Sequence, residues 1–300
     1  MFSYRHAFHA GNHADVLKHV ALIAIGRHLT QKDTPLLTVD THAGAGLYRL
    51  DSGFTSTAGE AADGILNLIT QVPPEGLAPA IADYLDVLAQ FNPDGGHRIY
   101  PGSPMVLHSL MRPDVRDRLK LFELHPTDAK LLAGHIAQLE AGRQVSVARQ
   151  DGFEGLKALL PPPSRRALVL IDPSYEIKSD YAKVSACLQD SLTRFATGCY
   201  MVWYPIIPRP EAHDLPRRLR TVAQRAGKPW LNATLAIGAP AVPALAAQEP
   251  GERPRPGLTA SGIFVVNPPH SLQAALREAL PQLLQMLRRG RGAEQTLTSG

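Results

Sequence analysis

The stretch Leu168-Val169-Leu170-Ile171-Asp172-Pro173-Ser174-Tyr175-Glu176 is an apolar run that ends abruptly in a carboxylate, a proline and an aromatic ring. Four consecutive apolar residues followed by an acid are typical of a parallel strand that is buried on both faces. Open α/β sheets bind their ligands at the carboxyl ends of such strands. The stretch therefore predicts a central strand and, at Asp172, the position of an active site.

The composition is that of an ordinary globular protein. The chain has 300 residues, 44% of them hydrophobic, which suffices for the core of one α/β domain with an insertion. Its net charge of +4 suits a polyanionic partner without requiring one. Two cysteines, Cys187 and Cys199, are too few for a disulfide framework, and no apolar run reaches the roughly 20 residues that span a bilayer. We expect a soluble, cytoplasmic protein.

A loop with two glycines follows the first predicted strand. Its sequence, Thr41-His42-Ala43-Gly44-Ala45-Gly46, would present backbone N–H groups to a ligand, because glycine permits close approach. The spacing departs from the GxGxxG pattern, which disfavours a dinucleotide site. Taken alone, the loop leaves a nucleotide site and an ordinary tight turn as equal alternatives.

Seven predicted strands alternate with helices along the chain. The strands cover residues 36–40, 119–123, 144–148, 168–171, 199–205, 231–237 and 262–266. This order predicts a doubly wound α/β sheet whose last two strands form an antiparallel edge hairpin. We also expect a small helical insertion at about residues 51–98 and a frayed terminus from 288 to 300.

Four acids, Asp40, Glu123, Asp151 and Asp172, lie just past or at predicted strand ends. Each one alone is best explained as a turn or helix-cap residue. Because the carboxyl ends of parallel strands meet at one edge of a sheet, the four acids and the loop at 41–46 together indicate a nucleoside pocket instead.

Asn12 is predicted to cap a first helix that carries Lys18 and His19 in one turn. His9 and His13 have the spacing of a metal-ligand pair, but the helix begins between them and no carboxylate cluster follows. We expect no metal site.

Several motifs together resemble a known family. Asp40-Thr41-His42-Ala43-Gly44-Ala45-Gly46 looks like motif I of S-adenosylmethionine-dependent methyltransferases, and Asp172-Pro173-Ser174-Tyr175 looks like the Asp-Pro-Pro-Tyr motif of enzymes that methylate exocyclic amines. Residues 4–12 and 14–19, Pro101-Gly102-Ser103-Pro104 and Glu123-Leu124-His125-Pro126 are similar to the bacterial 23S ribosomal RNA adenine-N6 methyltransferases of the RlmJ type. The resemblance covers nearly the whole chain; Ser174, in place of the second proline, departs from it.

The resemblance implies a Rossmann-like class I S-adenosylmethionine-dependent methyltransferase. Residues 1–300 would form one domain, with the N-terminal tail and first helix, residues 1–30, over the active site. The implied reaction is methyl transfer from S-adenosylmethionine to N6 of an adenine of 23S ribosomal RNA, adenine 2030 by the resemblance, with the base flipped into a pocket. The implied partner is RNA free of, or only partly covered by, ribosomal proteins. No membrane partner is expected, and the enzyme is expected to be a monomer.

The resemblance also implies roles for individual residues. In the catalytic set, the Asp172 carboxylate and the Pro173 carbonyl would accept hydrogen bonds from the amino group, Tyr175 would stack on the base, and Lys18 would line the pocket. The residues expected to bind the cofactor are His19, His42, Gly44, Gly46, Ser103, Glu123, Asp151, Gly152 and Asp172, and those expected to face the RNA are Tyr4 and His6.

The basic residues and the rival functions leave alternatives open. Arg165, Arg166, Arg217 and Arg218 are candidates for phosphate contacts, with a solvated charged face as the equal alternative.

A DNA adenine or protein glutamine methyltransferase shares the Asp/Asn-Pro-Pro-Tyr loop, although the insertion is small for a recognition domain. A nicotinamide-dependent oxidoreductase shares the fold class but needs the missing GxGxxG. A catalytically silent RNA-binding module is the third rival.

Overall fold

The structure is a computed structural model that describes residues 9–51, 60–71, 73, 76–239 and 257–300. Tyr4 and His6, which were expected to face RNA, lie outside the described residues, as does the rest of the tail that precedes His9.

An eight-stranded sheet forms the centre of the protein. Its strands are β1 Leu37–Asp40, β4 Arg118–Phe122, β5 Val145–Ala148, β6 Ala167–Ile171, β7 Cys199–Pro205, β8 Trp230–Ala236, β9 Ala260–Val266 and β10 Glu294–Ser299. They lie in the order β5-β4-β1-β6-β7-β9-β8-β10. Two further strands, β2 Leu47–Arg49 and β3 Ile99–Pro101, form a separate antiparallel pair.

The parallel part of the sheet confirms the doubly wound prediction. β1 has β4 on one side and β6 on the other, both parallel to it, so the strand order reverses at β1. Every residue of β6 is buried, as its continuous apolar sequence predicts. Alternate residues of β6 face opposite sides: Leu168 and Leu170 belong to one hydrophobic core, and Val169 and Ile171 to the other. The carboxyl ends of β1 and β6 therefore form the topological switch point at which such sheets bind ligands.

At the edge formed by β10, the sheet has one strand more than the sequence predicted. β9 pairs antiparallel with β7, and β8 with β9, which is the expected hairpin. The expectation that residues 288–300 are frayed is wrong, because β10 pairs antiparallel with β8 along its whole length. Its sequence, Glu-Gln-Thr-Leu-Thr-Ser, lacks the apolar alternation that marks a strand. Backbone pairing with β8 holds it, and Leu297 alone among its side chains packs against the hydrophobic core.

Helices cover both faces of the sheet. Their bounds are α1 His13–Leu29, α2 Asn67–Thr70, α3 Pro79–Gln90, α4 Ser103–Ser109, α5 Pro126–Gln138, α6 Gly152–Lys157, α7 Ser179–Arg194, α8 Pro210–Arg225 and α9 Leu272–Leu287. Helices α1, α3, α4, α5 and α9 contribute to one core, and α6, α7 and α8 to the other. Across the described ranges, no helix is long and apolar enough to cross a membrane.

Helix α1 begins where its sequence predicts. The Asn12 side chain accepts hydrogen bonds from the backbone N–H groups of Ala14 and Asp15, both at 3.0 Å, and so caps the helix. The first turn of α1 also contacts the segment between β2 and β3, where Ile65 N–H donates to the carbonyl of Gly11 at 2.8 Å. Gly64 lies so close to that carbonyl that a Cβ atom added at Gly64 would be 2.1 Å from the carbonyl oxygen of Gly11. The start of α1 is thereby fixed against the inserted segment and over the switch point.

Candidate active site

A cavity of about 480 Å³ opens at the carboxyl ends of the parallel strands and beside the first turns of α1 and α4. The predicted site residues that line it are Lys18, His42, Gly44, Ser103, Glu123, Asp151, Gly152, Asp172, Pro173 and Tyr175. The structure therefore brings together, from four parallel strand ends and two helices, residues as far apart in the sequence as Lys18 and Tyr175. Parallel strands end at one edge of the sheet, which explains this convergence.

Lys18 is buried between two carboxylates. Its Nζ atom lies 2.7 Å from Asp15 Oδ1 and 2.8 Å from Asp172 Oδ2, and only 4% of its side chain is exposed. Burial opposes the charge, but the two carboxylates outweigh it and raise the pKa of Lys18 above its ordinary value. Lys18 is therefore a permanent cation and hydrogen-bond donor, and it cannot act as a base near neutral pH. Sequence reasoning missed Asp15 as its partner, although the i, i+3 spacing on α1 was the available signal.

Asp40, at the end of β1, is completely buried beneath the cavity. Its Oδ2 atom accepts a hydrogen bond from Ser103 Oγ at 2.6 Å, and its Oδ1 atom accepts one from the backbone N–H of His42 at 3.1 Å. Burial raises the pKa of Asp40 to about 6, and the negative charge of Asp172 adds to the rise. Because the single hydroxyl hydrogen of Ser103 is given to Asp40, Ser103 offers the cavity only acceptor lone pairs.

Asp40 makes the stability of the protein depend on pH, and Asp40→Asn should remove that dependence. A carboxyl whose pKa is raised on folding contributes most to the free energy of unfolding when the pH is below its unfolded pKa of 3.8. That contribution is lost as the pH rises through the folded pKa of about 6. Acidification from pH 8 to 5 should therefore stabilise the wild type by roughly 1 kcal/mol relative to Asp40→Asn. Urea unfolding of both proteins across this range measures the difference, and a difference that does not vary with pH would contradict the expectation.

Thr41 fixes the proton position on the His42 ring. The Thr41 hydroxyl lies 3.0 Å from the carbonyl oxygen of Leu170, which can only accept, and 2.8 Å from His42 Nδ1. Since a hydroxyl has one hydrogen, both contacts are satisfied only if Nδ1–H donates to Thr41. Burial lowers the pKa of His42 to about 4, so the ring is neutral near pH 7 and its Nε2 atom is an acceptor. The ring packs edge-on against Phe153, with 4.8 Å between centroids.

Glu123 is held at the end of β4 by two backbone groups. Its Oε2 atom accepts from Gly44 N–H and its Oε1 atom accepts from His125 N–H, both at 2.7 Å. Burial raises the pKa of Glu123, and these two hydrogen bonds act against the rise. Each carboxylate oxygen keeps a second lone pair, so Glu123 can accept two further hydrogen bonds from a vicinal diol such as a ribose.

Asp151 and Gly152 join the end of β5 to helix α6. Asp151 Oδ1 caps α6 by accepting from the backbone N–H groups of Phe153 at 2.8 Å and Glu154 at 3.4 Å. Gly152 packs directly on the loop after β1: a Cβ atom there would lie 1.9 Å from the carbonyl oxygen of Thr41. The absence of a side chain at 152 therefore sets the width of the cavity between the two loops.

Gly152→Ala should destabilise the protein by at least about 1–3 kcal/mol, because backbone must move to admit the methyl group. Gly134→Ala is the matched control. A Cβ atom at Gly134, on the exposed side of α5, would have no atom within 4 Å, so the change should stabilise by about 0.5–1 kcal/mol. Urea unfolding measures both variants, and equal stability of the two would contradict this packing.

The loop that follows β6, residues 172–175, has a strained backbone conformation at Tyr175. Tyr175 has a φ of +54°, a left-handed conformation that costs a non-glycine residue roughly 1–2 kcal/mol. The Tyr175 side chain is buried, and its hydroxyl donates to the carbonyl of Trp203 at 2.6 Å. Pro173 is buried as well, whereas Ser174 is exposed at the cavity. Strain at a loop that carries predicted catalytic residues is characteristic of active sites.

Two of the predicted cofactor residues lie away from the lining of this cavity. His19 is completely buried in α1, where its Nδ1 atom lies 2.8 Å from the Tyr100 hydroxyl. Gly46, with a φ of +86°, packs against Met105 and Leu132, and a Cβ atom there would lie 2.9 Å from Met105 Cε. That His19 and Gly46 contact a cofactor stays a prediction, and the places of these two residues in the structure do not support it.

Most of the arginines proposed for phosphate contacts are occupied within the protein. Arg217 and Arg218 both pair with Asp214 on their own helix. Arg166 donates to the backbone carbonyls of Leu29 and Thr34 and so holds the loop after α1. These contacts favour the solvated charged face for Arg217 and Arg218 and give Arg166 a structural role, which was not one of the two alternatives.

The cavity fits S-adenosylmethionine by the chemistry of its lining. That cofactor carries a sulfonium, an ammonium and a ribose diol, all of which prefer negative groups or acceptors. The lining offers the carboxylates of Asp15, Glu123, Asp151 and Asp172 and the acceptor atoms assigned above to Ser103 and His42. No group of three or more potential metal ligands occurs in the part of the chain that the structure describes.

A doubly wound parallel sheet in which β9 is inserted antiparallel between β7 and β8, together with this acceptor-rich cavity, defines a class I S-adenosylmethionine-dependent methyltransferase. Residues 33–297 match the family described as "Ribosomal RNA large subunit methyltransferase D, RlmJ", and the chain belongs to this family.

Curated relatives and a solved structure agree with the family. The chain is 41% identical over 283 residues to "Ribosomal RNA large subunit methyltransferase J" of Escherichia coli (strain K12), with 94% of this chain and 93% of that one covered. It is 39% identical over 288 residues to the Haemophilus influenzae protein of the same name, with 96% and 94% covered. A crystal structure of a Legionella pneumophila protein matches with a TM-score of 0.81 and 31% identity, covering 97% of this chain and 98% of that one.

Proposed function

We propose that this protein methylates N6 of an adenine in 23S ribosomal RNA, with S-adenosylmethionine as the methyl donor. One observation carries the proposal: the Asp172 carboxylate, beside the Pro173 carbonyl, lines a cavity at the switch point and is held there by the buried cation of Lys18. The family and its curated relatives support the RNA substrate. The Asp172-Pro173-Ser174-Tyr175 motif supports an exocyclic amine as the acceptor of the methyl group.

The proposed chemistry follows from the weakness of the nucleophile. The lone pair of adenine N6 is delocalised into the ring, so the amino group must be held in an orientation that favours attack. Lys18 occupies Asp172 Oδ2, which leaves Asp172 Oδ1 and the Pro173 carbonyl to accept the two N–H groups. S-adenosylmethionine, when bound, would supply an electrophilic methyl group, whose bond to the sulfonium sulfur breaks and leaves the neutral thioether S-adenosylhomocysteine. As N6 forms its new bond it becomes positive, and Asp172 accepts the proton that it releases.

Other residues prepare the site for this step. The diol of the cofactor would bind Glu123, and its ammonium group would donate to the acceptors of Ser103 and His42. Tyr175, held by its hydrogen bond to Trp203, would form one wall for the adenine ring. A base paired in a helix cannot reach a site at the bottom of this cavity, so the adenine must be unpaired or flipped out of its helix. As the family resemblance implies, we also propose that the substrate is RNA free of, or only partly covered by, ribosomal proteins.

A methyl-transfer assay tests the proposed function. Purified protein and labelled S-adenosylmethionine are incubated with protein-free 23S ribosomal RNA from cells that lack the corresponding methyltransferase, and the product is digested and mapped by mass spectrometry. We expect one N6-methyladenosine. Assembled large subunits and DNA of the same sequence serve as parallel substrates and should accept far less label. Label at a cytosine, in DNA alone or in no substrate would refute the proposal.

A further inference from the structure

The loop that carries Asp172 lacks a local restraint at Ser174. This residue is exposed between Pro173, which is buried, and Tyr175, whose backbone is left-handed. Serine leaves φ free, whereas proline would fix it. The described backbone hydrogen bonds include none donated by Ser174 N–H, so a proline at 174 would remove no such bond. Something outside the loop must therefore hold it in its strained conformation.

Arg209 holds the loop from the neighbouring strand end. Its Nη1 atom donates to the carbonyl oxygen of Tyr175 at 3.0 Å, directly after the strained peptide. A hydrogen bond from a charged donor is stronger than a neutral one. Arg209 also lines the cavity, so this bond lies at the active site.

The backbone of Arg209 is itself firmly placed. Prolines precede and follow it at 208 and 210, and its φ of −135° and ψ of +127° are those expected before a proline. Its N–H donates to the carbonyl of Ile207 at 2.7 Å, and its own carbonyl accepts the first hydrogen bonds of α8. The guanidinium therefore extends from a rigid corner between β7 and α8.

A second restraint acts on the same residue from the same side. The Tyr175 hydroxyl donates to the Trp203 carbonyl near the end of β7. Tyr175 is thus tied through its side chain to β7 and through its carbonyl to the start of α8. Both bonds fix the position of Tyr175, which ends the loop that begins at Asp172 and Pro173.

We propose that Arg209 is a positioning residue for methyl transfer, which holds the Asp172-Pro173-Ser174-Tyr175 loop in its active conformation in place of a proline at 174. The inference rests on the proposed function in that the aligned groups are the acceptors for the adenine amine. Arg209 acts through the loop and need not touch the substrate. Its competing role is a direct phosphate contact, which would affect RNA binding rather than the chemical step.

A double-mutant cycle between Arg209→Met and Ser174→Pro tests this role. Arg209→Met should lower kcat at saturating RNA by roughly tenfold, because misplacement of the acceptors slows the reaction. KM for RNA and the affinity for S-adenosylhomocysteine should change less than about twofold. In the Ser174→Pro background the loss in kcat should shrink to about threefold or less, because proline supplies the missing restraint. Arg225→Met, which removes the same charge from the exposed end of α8, is the control and should leave kcat and KM unchanged.

Hydrogen exchange gives a readout that does not depend on activity. The peptide covering residues 171–178 should exchange faster in Arg209→Met than in wild type and should slow again in the double variant. A loss confined to KM for RNA, or a kcat loss of the same size with serine or proline at 174, would overturn the proposal. If the wild type transferred no methyl group to adenine, the proposed function would fail, while the exchange data would still decide whether Arg209 holds the loop. Should Arg209→Met not fold, Arg209→Lys takes its place with the same comparisons.

Discussion

Asp172→Ala should lower kcat for methyl transfer by roughly 100- to 10,000-fold while leaving the protein folded and able to bind S-adenosylhomocysteine. The carboxylate is the proposed acceptor for both the amino hydrogen bond and the released proton, so its loss removes orientation and proton transfer together. The fold should survive because Lys18 keeps a second carboxylate, Asp15, at 2.7 Å. A buried cation that retains one close partner is far less costly than one that has none.

A series at position 172 separates orientation from charge. Asp172→Asn keeps one acceptor oxygen and loses the charge, so its activity should fall between those of wild type and Asp172→Ala. Single-turnover rates at saturating RNA report the chemical step, and calorimetry with S-adenosylhomocysteine reports cofactor binding. Asp190→Ala, which removes an exposed carboxylate paired with Arg194 on α7, controls for the loss of a negative charge. More than a tenth of wild-type activity in Asp172→Ala would contradict the proposed role.

The sequence was sufficient to predict the sheet centre and the place of the site. A strand buried on both faces has a continuous apolar sequence, so β6 is recognisable without its neighbours. The strand-end acids could be expected to meet because parallel strands share an edge, and Glu123, Asp151 and Asp172 do line one cavity. β10 could not be predicted in this way, because all its residues except Leu297 are polar, and the strand is recognised by its pairing with β8.

The contacts that hold the site in place have no periodic signal in the sequence. Lys18 and Asp172 meet across 154 residues, and Arg209 reaches Tyr175 across 34. Such contacts depend on how helices and loops pack, which hydrophobic periodicity does not specify. His19 is an example: the resemblance implies contact with the cofactor, which stays a prediction, and the structure places the ring buried against Tyr100. Resemblance assigns a residue to a site, but packing decides which neighbour it contacts.

Lys18→Met should lower the free energy of unfolding by about 3–5 kcal/mol at pH 8, because it leaves two buried carboxylates without their shared cation. The side chains of Asp15 and Asp172 are only 3% and 11% exposed, so water cannot replace the ammonium group. Methyl transfer should be lost as well, since Asp172 would no longer be held. Asp15→Asn/Lys18→Met leaves one carboxylate instead of two, and its loss of stability should be clearly smaller than that of Lys18→Met.

The dependence of this loss on pH distinguishes electrostatics from packing. In the wild type the pKa of Lys18 is raised, so its contribution is fully present below its ordinary value of 10.5 and does not vary between pH 5 and 8. In Lys18→Met the two buried carboxylates repel one another in the folded protein, and acid relieves this repulsion by neutralising the pair. The difference in stability from wild type should therefore narrow as the pH falls from 8 to 5. Urea unfolding at pH 8 and pH 5 measures the loss of stability in Lys18→Met relative to wild type. If the loss were equal at the two pH values, Lys18 would stabilise the protein through the packing of its methylene groups, and its charge would have little part in holding Asp172.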